Sequence, residues 1–178
     1  MAGIDENLTF HPLHIAVLTV SDTRTAATDG SGDVLVGRLT AAGHVLAARA
    51  LVPDDVAAIR QQLYLWLADP AVEIILTTGG TGFTPRDLTP EAVLPMLSRM
   101  MDGFSVLFHL ASHKTVGVST LQSRAFAGQA GDRFIFCLPG SPGACRDAWD
   151  GVLGAEFDSR HRPCSIAGLL PRLKGVCA

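Results

Sequence analysis

His14-Ile-Ala-Val-Leu-Thr-Val20 is an almost unbroken β-rich run, the pattern of a strand buried on both faces of a sheet. A polar, glycine-bearing loop follows from Ser21 to Gly32. Asp33 to Ala42 places Val34, Leu35 and Leu39 on one side and ends at Gly43, which predicts a helix. Val45 to Val52 reads as a second strand. Pro53-Asp54-Asp55 opens a longer helix, with Val56, Ile59, Leu63 and Leu67 at helical spacing, and Asp69-Pro70 stops it. Glu73 to Thr77 is the next strand. Thr89-Pro90-Glu91 predicts a helix start with Thr89 as N-cap, a proline in the first turn and an acid near the positive dipole end. Phe104 to Ser112 and Ser119 to Ala127 read as further helices, the second closed by Gly128. Arg133 to Leu138 is a late strand and Pro142 to Leu153 a late helix.

Strands alternating with helices predict an α/β fold of three layers, a mostly parallel sheet with helices on both faces. Ligands in such sheets bind beyond the carboxyl ends of the strands. Three loops fall there, Ser21–Gly32, Thr78–Thr89 and Pro139–Gly143. Neither an internal repeat nor a low-complexity stretch interrupts the pattern.

The chain has 178 residues, enough for one well-cored domain and too few for two ordinary ones. Its charged fraction is 17%, below the usual ~25%, and 48% of its residues are hydrophobic before glycine is added. A charge-poor surface fits burial between subunits, so a homo-oligomer is expected. The basic residues are 12 Arg with Lys114 and Lys174, scattered within a net charge of −3, so no stripe is available for a nucleic-acid backbone. Cys137, Cys145, Cys164 and Cys177 show neither CxxC spacing nor paired histidine ligands and are read as free thiols. The amino-terminal residues carry two acids and no apolar core, and no run approaches the ~18 residues of a membrane span. The expected setting is cytoplasmic, without a membrane partner.

Thr77-Thr-Gly-Gly-Thr-Gly-Phe-Thr-Pro-Arg-Asp87 is the most informative segment. Gly79, Gly80 and Gly82 let the backbone adopt positive φ and approach a ligand, while Thr78 and Thr81 add hydroxyls. The loop lacks the Gly-Lys-Ser/Thr of a Walker A motif and does not match GxGxxG. Two readings stay open: a phosphate-binding turn, or a tight strand-to-helix turn with no ligand. Asp87 beside an anion-binding turn is unfavourable unless it pairs with Arg86 or holds Mg²⁺ against phosphates. Asp54 is explained equally well as an N-cap or as a second metal-binding acid at a strand end. Asp22 is a turn residue or a third polar group at the same edge. Pro139-Gly140-Ser141-Pro142 offers Ser141 as N-cap and a helix N-terminus for an anion. Ser123 and Arg124 fall in the expected helix 119–127, where the guanidinium suits either a phosphate or a surface ion pair. His109 and His113, one helical turn apart, lack a third ligand.

Taken together these segments resemble the MoaB/Mog family of molybdenum-cofactor biosynthesis proteins. The resemblance rests on Ile15-Ala-Val-Leu-Thr-Val-Ser-Asp22, Val52-Pro-Asp54, Thr77-Thr-Gly-Gly-Thr-Gly82, Arg86-Asp-Leu-Thr-Pro-Glu91, Ser123-Arg-Ala125 with Ala127-Gly128, and Leu138-Pro-Gly-Ser141. Val118 to Arg124, Ala144 to Trp149 and Arg160 to Cys164 look like the MoaB branch. It spans residues 13–165, leaving 1–12 as an extension and 166–178 as a tail. It implies a three-layer fold assembling as a trimer or hexamer, possession of a molybdopterin site, and contacts with other proteins of the pathway. In active members the terminal phosphate of molybdopterin attacks the α-phosphorus of ATP with Mg²⁺ present, and the essential acids fall on Asp54 and Asp87. Thr78, Gly79, Gly80, Thr81, Gly82, Ser123, Arg124, Pro139, Gly140 and Ser141 would bind substrate and phosphate. A non-catalytic molybdopterin-binding scaffold is the competing expectation, and a nucleotide-phosphate hydrolase a third. The chain departs from the family's Gly-Phe-Gly-Glu-x-Phe-Arg segment, carrying Val106 for the glutamate and His109 for the arginine.

Overall fold

The structure is a computed structural model and describes residues 3–175. Cys177 lies outside them, while Cys137, Cys145 and Cys164 are free thiols. In chain order the elements are β1 (Gly3–Ile4), β2 (His14–Val20), α1 (Gly30–Ala41), β3 (Val45–Val52), α2 (Val56–Ala68) and β4 (Ile74–Thr78). Then come α3 (Thr89–Val93), β5 (Arg99–Met100), α4 (Asp102–Val116), β6 (Phe126–Ala130), β7 (Arg133–Leu138) and α5 (Pro142–Ala148). A π-helical turn Trp149–Leu153 leads into α6 (Gly154–Glu156), followed by β8 (His161–Arg162) and α7 (Ile166–Leu173).

Six strands form one sheet in the order β3-β2-β4-β7-β6-β5. The β3-β2-β4-β7 part is parallel, and β6 and β5 extend it antiparallel. Strand periodicity divides the core in two. Ile15, Val17, Ile74, Leu76 and Phe136 point to the face covered by α1, α4, α5 and α7. Ala16, Leu18, Val20, Ile75 and Ile135 point to the face covered by α2 and α3. The three-layer α/β architecture expected from the alternation of elements is the one observed. Strand β1 pairs antiparallel with β8, Gly3 opposite Arg162 and Ile4 opposite His161.

The helix expected over 119–127 does not form. Residues Gly117–Gln122 form a 3₁₀ turn, and Phe126–Ala130 is a strand paired with β7. Alanine and glycine there carry no strand signal of their own, and ladder pairing plus burial of Phe126 on one face and Ala127 on the other override the local preference. Ser123 and Arg124 therefore sit in a connection, not on a helix. Helix α1 begins at Gly30, earlier than Asp33, because the buried Asp29 side chain accepts the Gly32 N–H as N-cap. Residues 166–173, expected within the tail, form α7, which buries Ile166, Ala167 and Leu170 in the core. The late helix also loses its regularity at Trp149, where the π-helical turn sets in.

Candidate functional site

The parallel strands β2, β3, β4 and β7 end at Val20, Val52, Thr78 and Leu138, so their following loops emerge on the same edge. A cleft of about 350 Å³ opens there, lined among others by Ser21, Arg24, Asp54, Gly79–Gly82, Asp87, Ser123, Pro139 and Gly140. The three loops singled out from the sequence meet at this place.

The glycine turn is tied down from several sides. The Gly79 N–H donates to the Leu138 carbonyl at 3.0 Å. Thr89 fixes the next two carbonyls, its hydroxyl donating to Gly79 O at 2.8 Å and its N–H to Gly80 O at 3.0 Å. Thr89 is thus the first residue of α3 rather than its expected N-cap, which is Leu88. Gly79 and Gly80 have φ of +109° and +63°, and a Cβ on Gly79 would lie 2.1 Å from the Val20 carbonyl oxygen. Only glycine fits this position. Among the described residues no protein acceptor takes the Gly80 or Thr81 N–H, which leaves two donors for an anion.

Arg124 holds the far side of the turn. Its N–H donates to Thr81 O at 2.8 Å, its Nε to Gly82 O at 2.8 Å and Nη2 to Asp87 O at 2.7 Å. Its Nη1 pairs with Glu91 at 2.6 Å, and the guanidinium lies 5.4 Å from the Phe83 ring centroid. The fork is committed to the protein, so the structure makes Arg124 a clamp on the loop. Thr78 is buried at the root of the turn, its hydroxyl donating to the Pro139 carbonyl at 2.9 Å. Ser141 caps α5, accepting the Ala144 N–H, and lines a neighbouring depression of about 270 Å³ that shares Gln122, Ser123 and Pro139 with the cleft.

The two acids are placed differently. Asp55, not Asp54, caps α2 by accepting the Ala58 N–H at 2.8 Å. Asp54 is thereby released from capping, and its Oδ2 accepts the Asp22 N–H at 2.9 Å. Asp22 reciprocates by accepting the Asp54 N–H at 3.0 Å. Burial, with the charges of Asp22 and Asp87 adding to it, pushes the Asp54 carboxyl up from its ordinary value despite the Asp22 hydrogen bond. Asp87 is also pushed up by burial, but the Thr84 hydroxyl and the Thr84 and Gly82 N–H groups outweigh this and hold it low. The Thr84 donors reach Asp87 Oδ2 at 2.6 and 2.8 Å. Asp22 lies behind these two, with Arg86 bonded to its Oδ2; the hydrogen bond from Arg86 holds it low. Arg86 therefore pairs with Asp22 and not with Asp87.

Sequence reasoning passed over Ser21, Thr23, Arg24 and Gln122 and weighed Arg86 only as a partner for Asp87, yet all five line the cleft. Arg24 donates to the Gly140 carbonyl and to Ser31, and lies 3.9 Å from Asp29. Asp29 is buried and also receives Thr19 at 2.7 Å and Arg49 at 2.8 Å. An arginine in a polar loop carries no local signal of this tertiary role. Val106 and His109 do not line the cleft. They face an apolar surface depression with Leu110, Val118 and Leu121, and His109 Nδ1 lies 2.8 Å from the Thr120 hydroxyl.

The fold and site are those of an α/β protein whose free backbone N–H donors and carboxylates gather at the carboxyl edge of a parallel sheet, where ligands of such folds bind. The family described as probable molybdopterin binding domain matches residues 16–158, and the chain belongs to it. It is 44% identical over 157 residues to molybdenum cofactor biosynthesis protein B of Escherichia coli K12, covering 88% of this chain and 92% of that one. A crystal structure of a molybdenum cofactor biosynthesis protein B superposes with a TM-score of 0.83 at 34% identity, covering 93% of this chain and 98% of that chain. The molybdopterin biosynthesis enzyme MoaB of Thermus thermophilus gives 0.75 at 32% identity, covering 92% and 97%.

Proposed function

We propose that this protein serves molybdenum-cofactor biosynthesis as a molybdopterin adenylyltransferase using ATP and Mg²⁺. The observation that carries this reading is the position of Asp54 and Asp87 on either side of a glycine turn whose Gly80 and Thr81 N–H groups are free. Asp54 matters most here, because its structural duty as a cap has passed to Asp55.

The donor set fits Mg²⁺. Hard carboxylate oxygens are the ligands this ion prefers, and it commonly takes one or two carboxylates with substrate phosphates completing its shell. Asp54 and Asp87 would hold it, and when bound it would lower the repulsion between two anionic reactants.

The chain's own part is positioning. The Gly80 and Thr81 N–H groups would hold a phosphate, and the Arg124 clamp with Thr89 keeps them aimed. A terminal phosphate oxygen of molybdopterin would form a bond to the α-phosphorus of ATP. The bond from that phosphorus to the α–β bridging oxygen would break, and pyrophosphate would leave with the electron pair. A phosphate nucleophile needs little deprotonation at neutral pH, so no general base is required of the site.

Self-association is part of the proposal. Val106, Leu107 and Leu110 on α4 are exposed beside Val118 and Leu121, an apolar surface that a second copy would cover. The activity is tested by pyrophosphate release from ATP and Mg²⁺, which should require added molybdopterin. Molybdopterin bound without release would instead indicate a scaffold, and release of phosphate without molybdopterin a hydrolase.

A further inference from the structure

Two arginines line the cleft, and the structure holds them in different ways. Arg24 is only a quarter exposed and is fixed by the Gly140 carbonyl, by Ser31 and by the nearby carboxylate of buried Asp29. Arg86 is 62% exposed, and one side chain holds its guanidinium: Asp22, reached through Nε at 2.7 Å and through Nη2. The other Asp22 oxygen is already used by the Asp54 N–H.

An exposed ion pair of this kind adds little stability, so exchanging it for another anion is nearly free. The planar fork that fits a carboxylate fits a phosphate equally well. We propose that Arg86 binds the polyphosphate of the incoming nucleotide, leaving Asp22 for it; this rests on the adenylyltransferase reading above. Arg86 immediately precedes Asp87 in the chain and is joined through Asp22 to Asp54, so a nucleotide lying against both acids comes within reach of its guanidinium. Arg24, held on the Gly140 side, is already occupied. The exchange would leave Asp22 without its counter-charge beside Asp54, where a cation held by Asp54 and Asp87 would compensate it.

The test is calorimetric titration of the full chain with ATP, tripolyphosphate, AMP and inorganic phosphate, in Mg²⁺ and again in EDTA. Arg86→Gln should weaken ATP and tripolyphosphate roughly tenfold, the loss of one charge-assisted contact, while AMP and phosphate bind as to the wild type. Arg86→Lys should recover part of the loss. Asp22→Asn keeps an oxygen for the Asp54 N–H but removes the competing charge, and should tighten both polyphosphates about two- to fourfold in EDTA. The inference is overturned if Arg86→Gln binds polyphosphate as the wild type does, loses AMP in the same proportion, or if Asp22→Asn weakens the polyphosphates. Wild-type protein that binds ATP while Arg86→Gln shows no change in that binding overturns the role of Arg86 alone. Wild-type protein that binds neither ATP nor tripolyphosphate overturns the nucleotide reading along with it.

Discussion

Asp22 and Asp54, 32 residues apart in sequence, bind each other's backbone N–H through their carboxylates, at 2.9 and 3.0 Å. The reciprocal pair staples the end of β2 to the start of α2 and turns two like charges into a fixed unit. Burial, with the charges of Asp22 and Asp87 adding to it, still pushes the Asp54 carboxyl up against the lowering effect of the Asp22 N–H.

A group whose folded pKa is raised above 3.8 takes stability away as pH rises from that value through the folded pKa, and the whole deficit is present at neutral pH. Asp54→Asn removes it while keeping an oxygen for the Asp22 N–H. Thermal unfolding at pH 7 should therefore shift upward. Turnover of ATP should fall at least about a hundredfold in the same protein, as expected for a lost transition-state contact.

Asp87 behaves oppositely. Burial raises it, but the Thr84 and Gly82 hydrogen bonds win and hold it below 3.8, so its contribution to stability is present above that value and lost as pH falls through the folded pKa. Thr84→Val deletes the hydroxyl donor at 2.6 Å and leaves the N–H in place. The Asp87 carboxyl, followed by carbon-detected NMR during an acid titration, should titrate at a higher pH in the variant.

Arg124 is expected to matter through the loop it grips. Arg124→Ala removes the side-chain bonds to Gly82 and Asp87 and the Glu91 pair, and leaves those carbonyls to water. We expect a stability loss of about 2 kcal/mol by denaturant unfolding. Arg124→Lys should recover little of it, since an ammonium cannot span the three acceptors. Amide exchange should quicken in both variants at Gly82, whose N–H bonds Asp87.

The exposed apolar surface of α4 and the following 3₁₀ turn should govern assembly. Leu110 and Leu121 are 60% and 77% exposed. Leu110→Asp with Leu121→Asp leaves the core untouched and should convert an oligomer to monomer by light scattering. An unchanged mass would place the contact elsewhere.

The parallel half of the sheet and its helices were legible because their apolar runs are long and periodic. Strand β6 was not, since Phe126-Ala-Gly-Gln-Ala130 takes its conformation from pairing with β7 and not from its own residues. Asp54 and Asp87 were legible by type and by position at strand ends. What Asp54 does locally was not, because adjacent Asp55 competes for the cap and only coordinates show which residue takes it. Arg24 was silent and Arg86 was matched to the wrong acid for a similar reason: their partners Gly140 and Asp22 lie 116 and 64 residues away. Gln122 reaches the cleft from a different loop again. The departures at Val106 and His109 fall on an outer apolar surface and line no part of the cleft.

The most direct measurement is a single turnover with molybdopterin, Mg²⁺ and ATP labelled with nitrogen-15 in its adenine, followed by mass spectrometry of the protein-bound pterin. The account predicts that the label appears on molybdopterin as its adenylylated form with the wild type, and is absent with Asp87→Ala although the pterin still binds. Molybdopterin retained by the wild type without any label, under conditions where ATP is bound, would contradict it.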